Sequence, residues 1–303
     1  MNRDSLKIGV IGAGVFGNYH AGKCAAHPHH DFIGIFDPDH DRVRAAAKRH
    51  KTRAFDNCNA LISGVDAVIV ASIAVHHGPI AIAALRAGRH VFVEKPIAAN
   101  LEMAQTMVRL ASENNLILQV GHQERFVARA IGLDSAPKKP LKITARRFGP
   151  VSKRGTDVSV TLDLMTHDID MALWLMGEKP ISVQGEALCV YSGTPDASRA
   201  KLIFKDGQTV HLEASRCEPG LDRIMKIEYP DGYVRIDFVN KIFEDTTGYG
   251  FNKDFAAHPL SQDSLGAGTS AFTSSILDGT PIAVPGQDGM NALEVALKID
   301  GRL

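Results

Sequence analysis

The hydrophobic pattern of this chain changes period once. From Ile8 to Val120, short apolar runs alternate with stretches of helical spacing. Ile8 to Ile11, Phe32 to Phe36, Ala67 to Ala71, His90 to Val93 and Leu116 to Val120 are the runs, and Arg53 to Phe55 reads as a short edge strand. The wholly apolar Ala67 to Ala71 is what a parallel strand buried on both faces requires. Between the runs, Asp41 to His50, Asn57 to Ser63, Pro79 to Ala87 and Asn100 to Asn114 read as helices. Gly64 and Gly88 stop two of them, and Asn100 caps another. Strands alternating with helices imply right-handed crossovers and a doubly wound parallel sheet.

Past Gly121 the period falls to two. Lys142 to Phe148, Ile181 to Tyr191, Arg199 to Phe204, Thr209 to Ala214, Ile224 to Tyr229 and Tyr233 to Phe238 read as strands. Asp206-Gly207 and Asp231-Gly232 are hairpin turns tolerant of positive φ. One helix interrupts the strands, from Thr161 to Met176, ended by Gly177 and Pro180. Asn240 to Ser261 reads as a long loop, and Ser264 to Leu277 and Asp288 to Ile299 as closing helices. The pattern thus predicts an α/β chain of two domains, a parallel-sheet domain over 1–121 and an α+β domain with an open, mostly antiparallel sheet over 122–303. Leu202, Phe204, Val210 and Leu212 give that open sheet an apolar face. Such a face calls for a cover, and a second copy of the chain is the expected one, in a homodimer or homotetramer, with helices of the same chain as the alternative.

Composition narrows the class of protein. A length of 303 residues suffices for two domains with substantial cores. The formal net charge is +0 with no basic block, so nothing points to a nucleic-acid or anionic-membrane partner. Cys24, Cys58, Cys189 and Cys217 form no Cys-x-x-Cys pair, which argues against a zinc site or a disulfide framework. The chain enters its first strand without a signal peptide and holds no membrane-spanning apolar run, so the cytoplasm is the expected location.

The first strand runs into Gly12-Ala13-Gly14-Val15-Phe16-Gly17, and a helical pattern follows. Gly-x-Gly-x-x-Gly in that context is the dinucleotide fingerprint. Its glycines permit a tight turn, backbone approach to a pyrophosphate and close helix packing, with the pyrophosphate on the helix N-terminus. The second strand ends in Asp37, about 20 residues on, where a carboxylate holds the adenosine ribose hydroxyls. The alternative is that Asp37 only opens the turn Asp37-Pro38-Asp39. A carboxylate there repels a 2′-phosphate and no Arg directly follows it, so NAD is expected over NADP. The first domain is therefore a Rossmann domain.

Two further stretches carry chemistry. Ligands of a doubly wound sheet lie beyond the carboxyl ends of its strands, and Glu94-Lys95-Pro96 follows the fifth strand there. A Lys beside a nicotinamide suits proton transfer near neutral pH; otherwise it is a surface Lys paired with Glu94. On the interrupting helix, Asp163, His167 and Asp170 form one polar stripe beside the apolar Leu162, Met165, Ile169, Leu173 and Met176. A His with a carboxylate one turn away can act as general acid or base, or the stripe is an ordinary solvated face. His167, Asp168 and Asp170 diverge around the helix, so no metal site is expected.

Gly12-x-Gly14-x-x-Gly17, Glu94-Lys95-Pro96 and Asp163-x-x-x-His167, in this order over nearly the whole chain, resemble the Gfo/Idh/MocA family of sugar oxidoreductases. The resemblance implies that Lys95 and His167 are the catalytic pair, that Asp163 orients the sugar or the His, and that the open sheet packs on a partner's sheet. The turn after the fourth strand departs from the family's Thr-Pro type, reading Ser72-Ile73-Ala74, while His77 matches the usual His. Ser72, His77 and Glu94 join the glycine loop, Asp37 and Lys95 as expected cofactor-binding residues. The stretches Val120 to Phe126 and Arg154 to Asp170 are similar to the UDP-N-acetylglucosamine 3-dehydrogenase branch. Arg125 and Arg154 are then candidates for the sugar diphosphate, guanidinium matching phosphate geometry, with Lys95, Asp163 and His167 lining the sugar; ordinary surface arginine is the alternative. The expected function is NAD-dependent oxidation of a secondary hydroxyl of a sugar, foremost a nucleotide sugar. The alternatives are a free-sugar or inositol dehydrogenase and, in another class, a non-catalytic NAD-binding regulator.

Overall fold

The computed structural model describes residues 5–152 and 155–303, which form two compact units. One runs up to Gln123 and takes back Asp263–Met290; the other comprises Glu124–Gln262 and Asn291–Leu303.

The first unit contains β1 (Leu6–Ile11), α1 (Val15–Ala26), β2 (His30–Phe36), α2 (His40–His50), β3 (Arg53–Phe55), α3 (Cys58–Ser63), β4 (Ala67–Val70), α4 (His77–Arg86), β5 (His90–Val93), α5 (Leu101–Glu113) and β6 (Leu118–Val120). Its strands are all parallel, in the order β3-β2-β1-β4-β5-β6, so the direction of winding reverses between β1 and β4. That switch point is where an open α/β sheet offers its crevice. The helix starts follow local capping: Asp39, Asn57 and Asn100 each accept a backbone N–H from the first turn of the helix that follows, at 2.9, 3.0 and 2.9 Å.

The second unit contains α6 (Glu124–Ile131), β7 (Lys142–Phe148), a π-helical turn over Thr161–Met165 continuing into α7 (Thr166–Met176), β8 (Ser182–Leu188), β9 (Ala197–Ile203), β10 (Thr209–Ser215), β11 (Asp222–Tyr229), β12 (Gly232–Asp237), β13 (Ile242–Asp245) and α8 (Pro259–Gln262). Its sheet runs β13-β12-β11-β7-β10-β9-β8. Every pairing is antiparallel except that of β7 with β10. The long connection between these two strands carries α7, which packs on β10, together with the β8–β9 pair. The hairpin glycines Gly207 and Gly232 have φ of 85° and 150°, as their turns demand. The stretch expected as a loop from Asn240 to Ser261 contains β13 and part of α8, and α6 is a further helix.

The chain closes with α9 (Ser264–Leu277) and α10 (Gly286–Ile299). Residues 263–290 were expected in the second domain, but they pack on the first. Phe272 meets Phe92 edge-on at 5.8 Å between ring centroids, Gln119 Nε2 donates to the Gly268 carbonyl at 2.8 Å, and Lys23 pairs with Asp263 at 2.7 Å.

The apolar face of the second sheet also needs correction. Leu202, Phe204, Val210 and Leu212 are at most 1% exposed within this one chain, so the face is covered from inside. The opposite face is polar, with Arg146, Arg199, Lys201 and Glu213 exposed. These four apolar residues therefore give no ground for a partner subunit. Leu212→Ala is expected to cost about 2–5 kcal/mol of stability as a core truncation, read by denaturant unfolding. Light scattering should show no change in association state, and a shift to smaller particles would restore Leu212 to an interface.

Candidate active site

In the first unit the glycine loop has the form a dinucleotide needs. Gly12 lies at φ 104° with its Cα against the Ala71 carbonyl, where a Cβ would overlap backbone. A Cβ on Gly17 would run into the Gly12 carbonyl oxygen, so α1 starts in contact with the end of β1. At Gly14 a Cβ would meet nothing. No side chain caps α1, and no acidic residue sits in its first turn. Its first N–H groups and the positive end of its dipole are thus left for an anion, in an open place without a competing carboxylate. These features fit the pyrophosphate of a dinucleotide.

Asp37 lies at the end of β2 and is 5% exposed. One of its oxygens accepts the Ala13 N–H at 2.7 Å and the other the Asp39 N–H at 3.0 Å. A carboxylate oxygen can accept more than one hydrogen bond, so Asp37 is fixed against the glycine loop and can still accept ribose hydroxyls. Arg42 reaches back from α2 to lie 3.6 Å from Asp37 and 3.2 Å from Asp39.

The turn after β5 is built on two histidines. Glu94 is buried, and its Oε1 lies 2.7 Å from His20 Nε2 of α1 and 3.5 Å from Gln123 Nε2. Burial works to raise its pKa, but the hydrogen bond and charge of His20 outweigh it and hold the carboxyl below its ordinary value. His77 is 2% exposed, with Nδ1 2.7 Å from the Pro96 carbonyl and Nε2 3.0 Å from that of Ser72. It joins the turns that follow β4 and β5. Burial lowers its pKa despite the two carbonyls, and a neutral ring donates through one nitrogen only. The shorter contact, to Pro96, is the one we assign to the proton. Glu94 and His77 are expected cofactor-binding residues; in the structure one oxygen of Glu94 lies on His20, and both ring nitrogens of His77 lie on backbone carbonyls. What they fix is the backbone of Lys95, which is half-buried, and of Ser72, whose hydroxyl donates to the Ile73 carbonyl at 3.2 Å. His20 was missed because its partner lies 74 residues away; its place one turn past Gly17 was the only local signal.

In the second unit the helix beginning at Thr161 carries the candidate residues Asp163 and His167. Within 161–170 only Asp163, Leu164 and His167 are not buried. Asp163 and His167, one turn apart, both keep part of their surface exposed, and the Cα of Gly155 lies against the Asp163 carboxylate. The expected polar stripe is otherwise corrected. Asp170 is 1% exposed and accepts Arg125 Nε at 2.8 Å and Nη2 at 2.6 Å. Asp168 accepts Arg147 Nε at 3.0 Å and Nη2 at 2.9 Å, while Arg147 Nη1 donates to Glu124 at 3.0 Å. Burial opposes the charge of Arg147, but Asp168 and Glu124 overcome it and drive the pKa up. Arg125, a candidate for the diphosphate, is 2% exposed with its fork on Asp170 and its guanidinium 5.4 Å from the Trp174 ring. It is a structural cation. Arg154 lies outside the described residues. Among the described residues no three His, Cys, Asp or Glu side chains converge on a metal position, and no helix is long and apolar enough to cross a membrane.

A dinucleotide loop at a switch point and a separate sheet unit with an Asp–His opening define a nicotinamide-dependent oxidoreductase. Residues 6–122 match the oxidoreductase family with an NAD-binding Rossmann fold, and residues 143–235 match the GFO/IDH/MocA C-terminal domain. The chain is 30% identical to the UDP-N-acetylglucosamine 3-dehydrogenase of Acidithiobacillus ferrooxidans, over 97% of this chain and 96% of that relative. It is 29% identical to the myo-inositol 2-dehydrogenase of Thermotoga maritima, over 95% and 93%. A solved structure of the Acidithiobacillus ferrooxidans enzyme superposes with a TM-score of 0.88 at 28% identity, covering 99% of this chain and 97% of that one. The chain belongs to the GFO/IDH/MocA family of oxidoreductases.

The His20–Glu94 pair yields a signed pH prediction. With its pKa depressed, Glu94 contributes stability above the ordinary glutamate value, lost as pH falls through the folded value. His20→Phe removes the hydrogen bond and charge that do most to offset burial, so the Glu94 pKa rises. The variant should lose about 3–5 kcal/mol at neutral pH, as when one partner of a buried pair is removed. The deficit should shrink as pH falls towards the ordinary glutamate pKa and Glu94 takes up a proton. Denaturant unfolding at neutral and mildly acidic pH measures it, and an equal deficit at both would refute the charged pair.

Proposed function

We propose that this protein oxidises a secondary hydroxyl of a nucleotide sugar, of the UDP-N-acetylglucosamine type at C3, with NAD as acceptor. The observation that carries the reading is the end-to-end similarity to a dehydrogenase of that name, 30% identical over 97% of this chain. Asp37, Lys95, Asp163 and His167 supply the side-chain chemistry such a reaction needs. The glycine loop and Asp37 would hold the dinucleotide, which when bound accepts the hydride from the carbinol carbon. As the C–H bond gives up its electron pair, the hydroxyl loses its proton to Lys95 or His167, and a ketone remains. Asp163, one turn from His167, steadies the imidazolium or accepts from a neighbouring sugar hydroxyl. The similarity to a myo-inositol dehydrogenase, 29% identical, supports a free polyol as the second reading.

Incubating the protein with NAD and a panel of UDP-sugars, free sugars and inositols, following reduced nicotinamide by absorbance, tests the proposal. Turnover of inositol but of no nucleotide sugar would replace the first reading with the second. On the true substrate, Lys95→Met and His167→Ala should each lower kcat by about 10²- to 10⁴-fold, the usual worth of general acid–base catalysis. NAD affinity should change little in either. Asp163→Asn should do less harm, because the amide keeps the shape and loses only the charge. Near-full turnover by Lys95→Met would overturn the role given to Lys95.

Cofactor choice rests on Asp37. Its carboxylate, locked on the Ala13 N–H, stands where a 2′-phosphate would bring like charge. Arg42 lies close enough to soften that repulsion but is already engaged by two carboxylates. NAD(H) should therefore bind at least about tenfold tighter than NADP(H), about 1.4 kcal/mol. Calorimetry decides, and Asp37→Ala should erode the preference.

A further inference from the structure

Among its described residues the second unit holds a guanidinium whose buried Nε the fold leaves without an acceptor. Arg223 of β11 stands opposite Arg147 of β7 in antiparallel register, so the two side chains leave the same face of the sheet. Arg147 has its fork filled by Asp168 and Glu124. Arg223 has no side-chain hydrogen bond or ion pair to any described residue, and its Nε is a buried donor without an acceptor. Burial lowers its pKa and the charge of Arg147 acts in the same direction, while Glu124, Asp168 and Asp163 oppose them. Asp163 is thus one of the charges that act on Arg223, which keeps part of its surface exposed.

A desolvated donor without an acceptor costs about 1–3 kcal/mol, more for a charged group, and native proteins rarely keep one without a use. Of the carboxylates that act on it, those of Asp168 and Glu124 are directed at Arg147, and none of the three, Asp163 included, accepts its Nε. A guanidinium matches the paired oxygens of phosphate in a planar fork. We propose that Arg223 receives the anionic oxygens of the substrate's diphosphate. This role rests on the nucleotide-sugar reading given above. It fills the place for which Arg125 was a candidate and from which the Asp170 pair removes it. A neutral polyol would leave this charge uncompensated, so Arg223 is also a specificity-determining residue that favours nucleotide sugars over free sugars.

Binding and turnover separate this inference from the reading it rests on. UDP and inorganic pyrophosphate are titrated calorimetrically into the NAD-loaded protein, for the unaltered chain, Arg223→Gln and Arg223→Lys. The unaltered chain should bind both, Arg223→Gln at least about tenfold more weakly, and Arg223→Lys in between, because it keeps the charge and loses the fork. With UDP-N-acetylglucosamine as substrate, Arg223→Gln should raise KM by a similar factor and leave kcat within about threefold, the mark of binding shared by ground and transition states. NAD affinity and thermal midpoint should be unchanged, which separates ligand recognition from a structural role. Equal affinity of Arg223→Gln and the unaltered chain for both probes, or no binding of either probe by the unaltered chain, overturns the inference. Arg223-dependent binding of UDP without turnover of any UDP-sugar would sustain the inference and defeat the sugar assignment. Turnover of UDP-N-acetylglucosamine with a KM indifferent to Arg223 would do the reverse.

Discussion

An ionised side chain buried without a partner costs several kcal/mol, and removing one partner of a buried pair about 3–5 kcal/mol. Both units are organised around meeting that requirement. His20 and Glu94 tie α1 to the end of β5. Arg147 ties β7 to α7 and α6 through Asp168 and Glu124. Arg125 ties α6 to α7 through Asp170. Arg216 pairs with Asp196 and donates to the Gly155 and Val158 carbonyls, holding the segment that leads to Asp163. In two of these pairs the locked charge adjoins a candidate reactive group in sequence: Glu94 beside Lys95, Asp168 beside His167. The neighbouring side chain then inherits a fixed backbone, which is how a site is held to the tolerance that catalysis needs.

The helix starting at Thr161 shows how closely the two kinds of residue are interleaved. Asp163 and His167 keep access to solvent, while Asp168 and Asp170 are fixed in the interior by arginines from β7 and α6. A wholly solvated polar face would let the helix shift, and a wholly apolar one would have nothing to direct its rotation. Bidentate pairs set rotation as well as depth, because a guanidinium fork accepts a carboxylate in few orientations. The π-helical turn over Thr161–Met165 adds a local change of winding just where Asp163 lies, and such turns recur at functional sites.

What could be read from the residues was what depends on local chain chemistry. Asn57 and Asn100 cap their helices because an Asx side chain satisfies N–H groups two or three residues on. Gly177 ends α7 at φ 71°, where other residues are strained. The glycine loop is legible because its turn and the packing of Gly17 on the Gly12 carbonyl are local. Non-local pairings were illegible. Nothing near Arg125 announces Asp170, 45 residues away, and an aspartate at helical spacing with His167 reads as surface until its partner is known. The same applies to α9, whose Phe272 finds Phe92 across the chain, and to β10, whose parallel pairing with β7 depends on the length of the intervening connection. The period-two residues of β9 and β10 were correctly seen as an apolar face; what covers it lies elsewhere in the sequence.

A net charge of +0 says little about small anions, and this chain shows why. The cofactor loop offers a pyrophosphate no cationic side chain at all: it offers backbone amides at a helix start, an open approach at Gly14, and no acidic group in the first turn. In the other unit the arginines are nearly all neutralised within the fold, so a count of basic residues would find no excess for a ligand. The distinguishing quantity is the number of donors without acceptors, and at Arg223 that number is above zero. Unsatisfied donors are therefore the more sensitive guide to an anionic ligand, because each carries a desolvation cost that the fold alone does not offset.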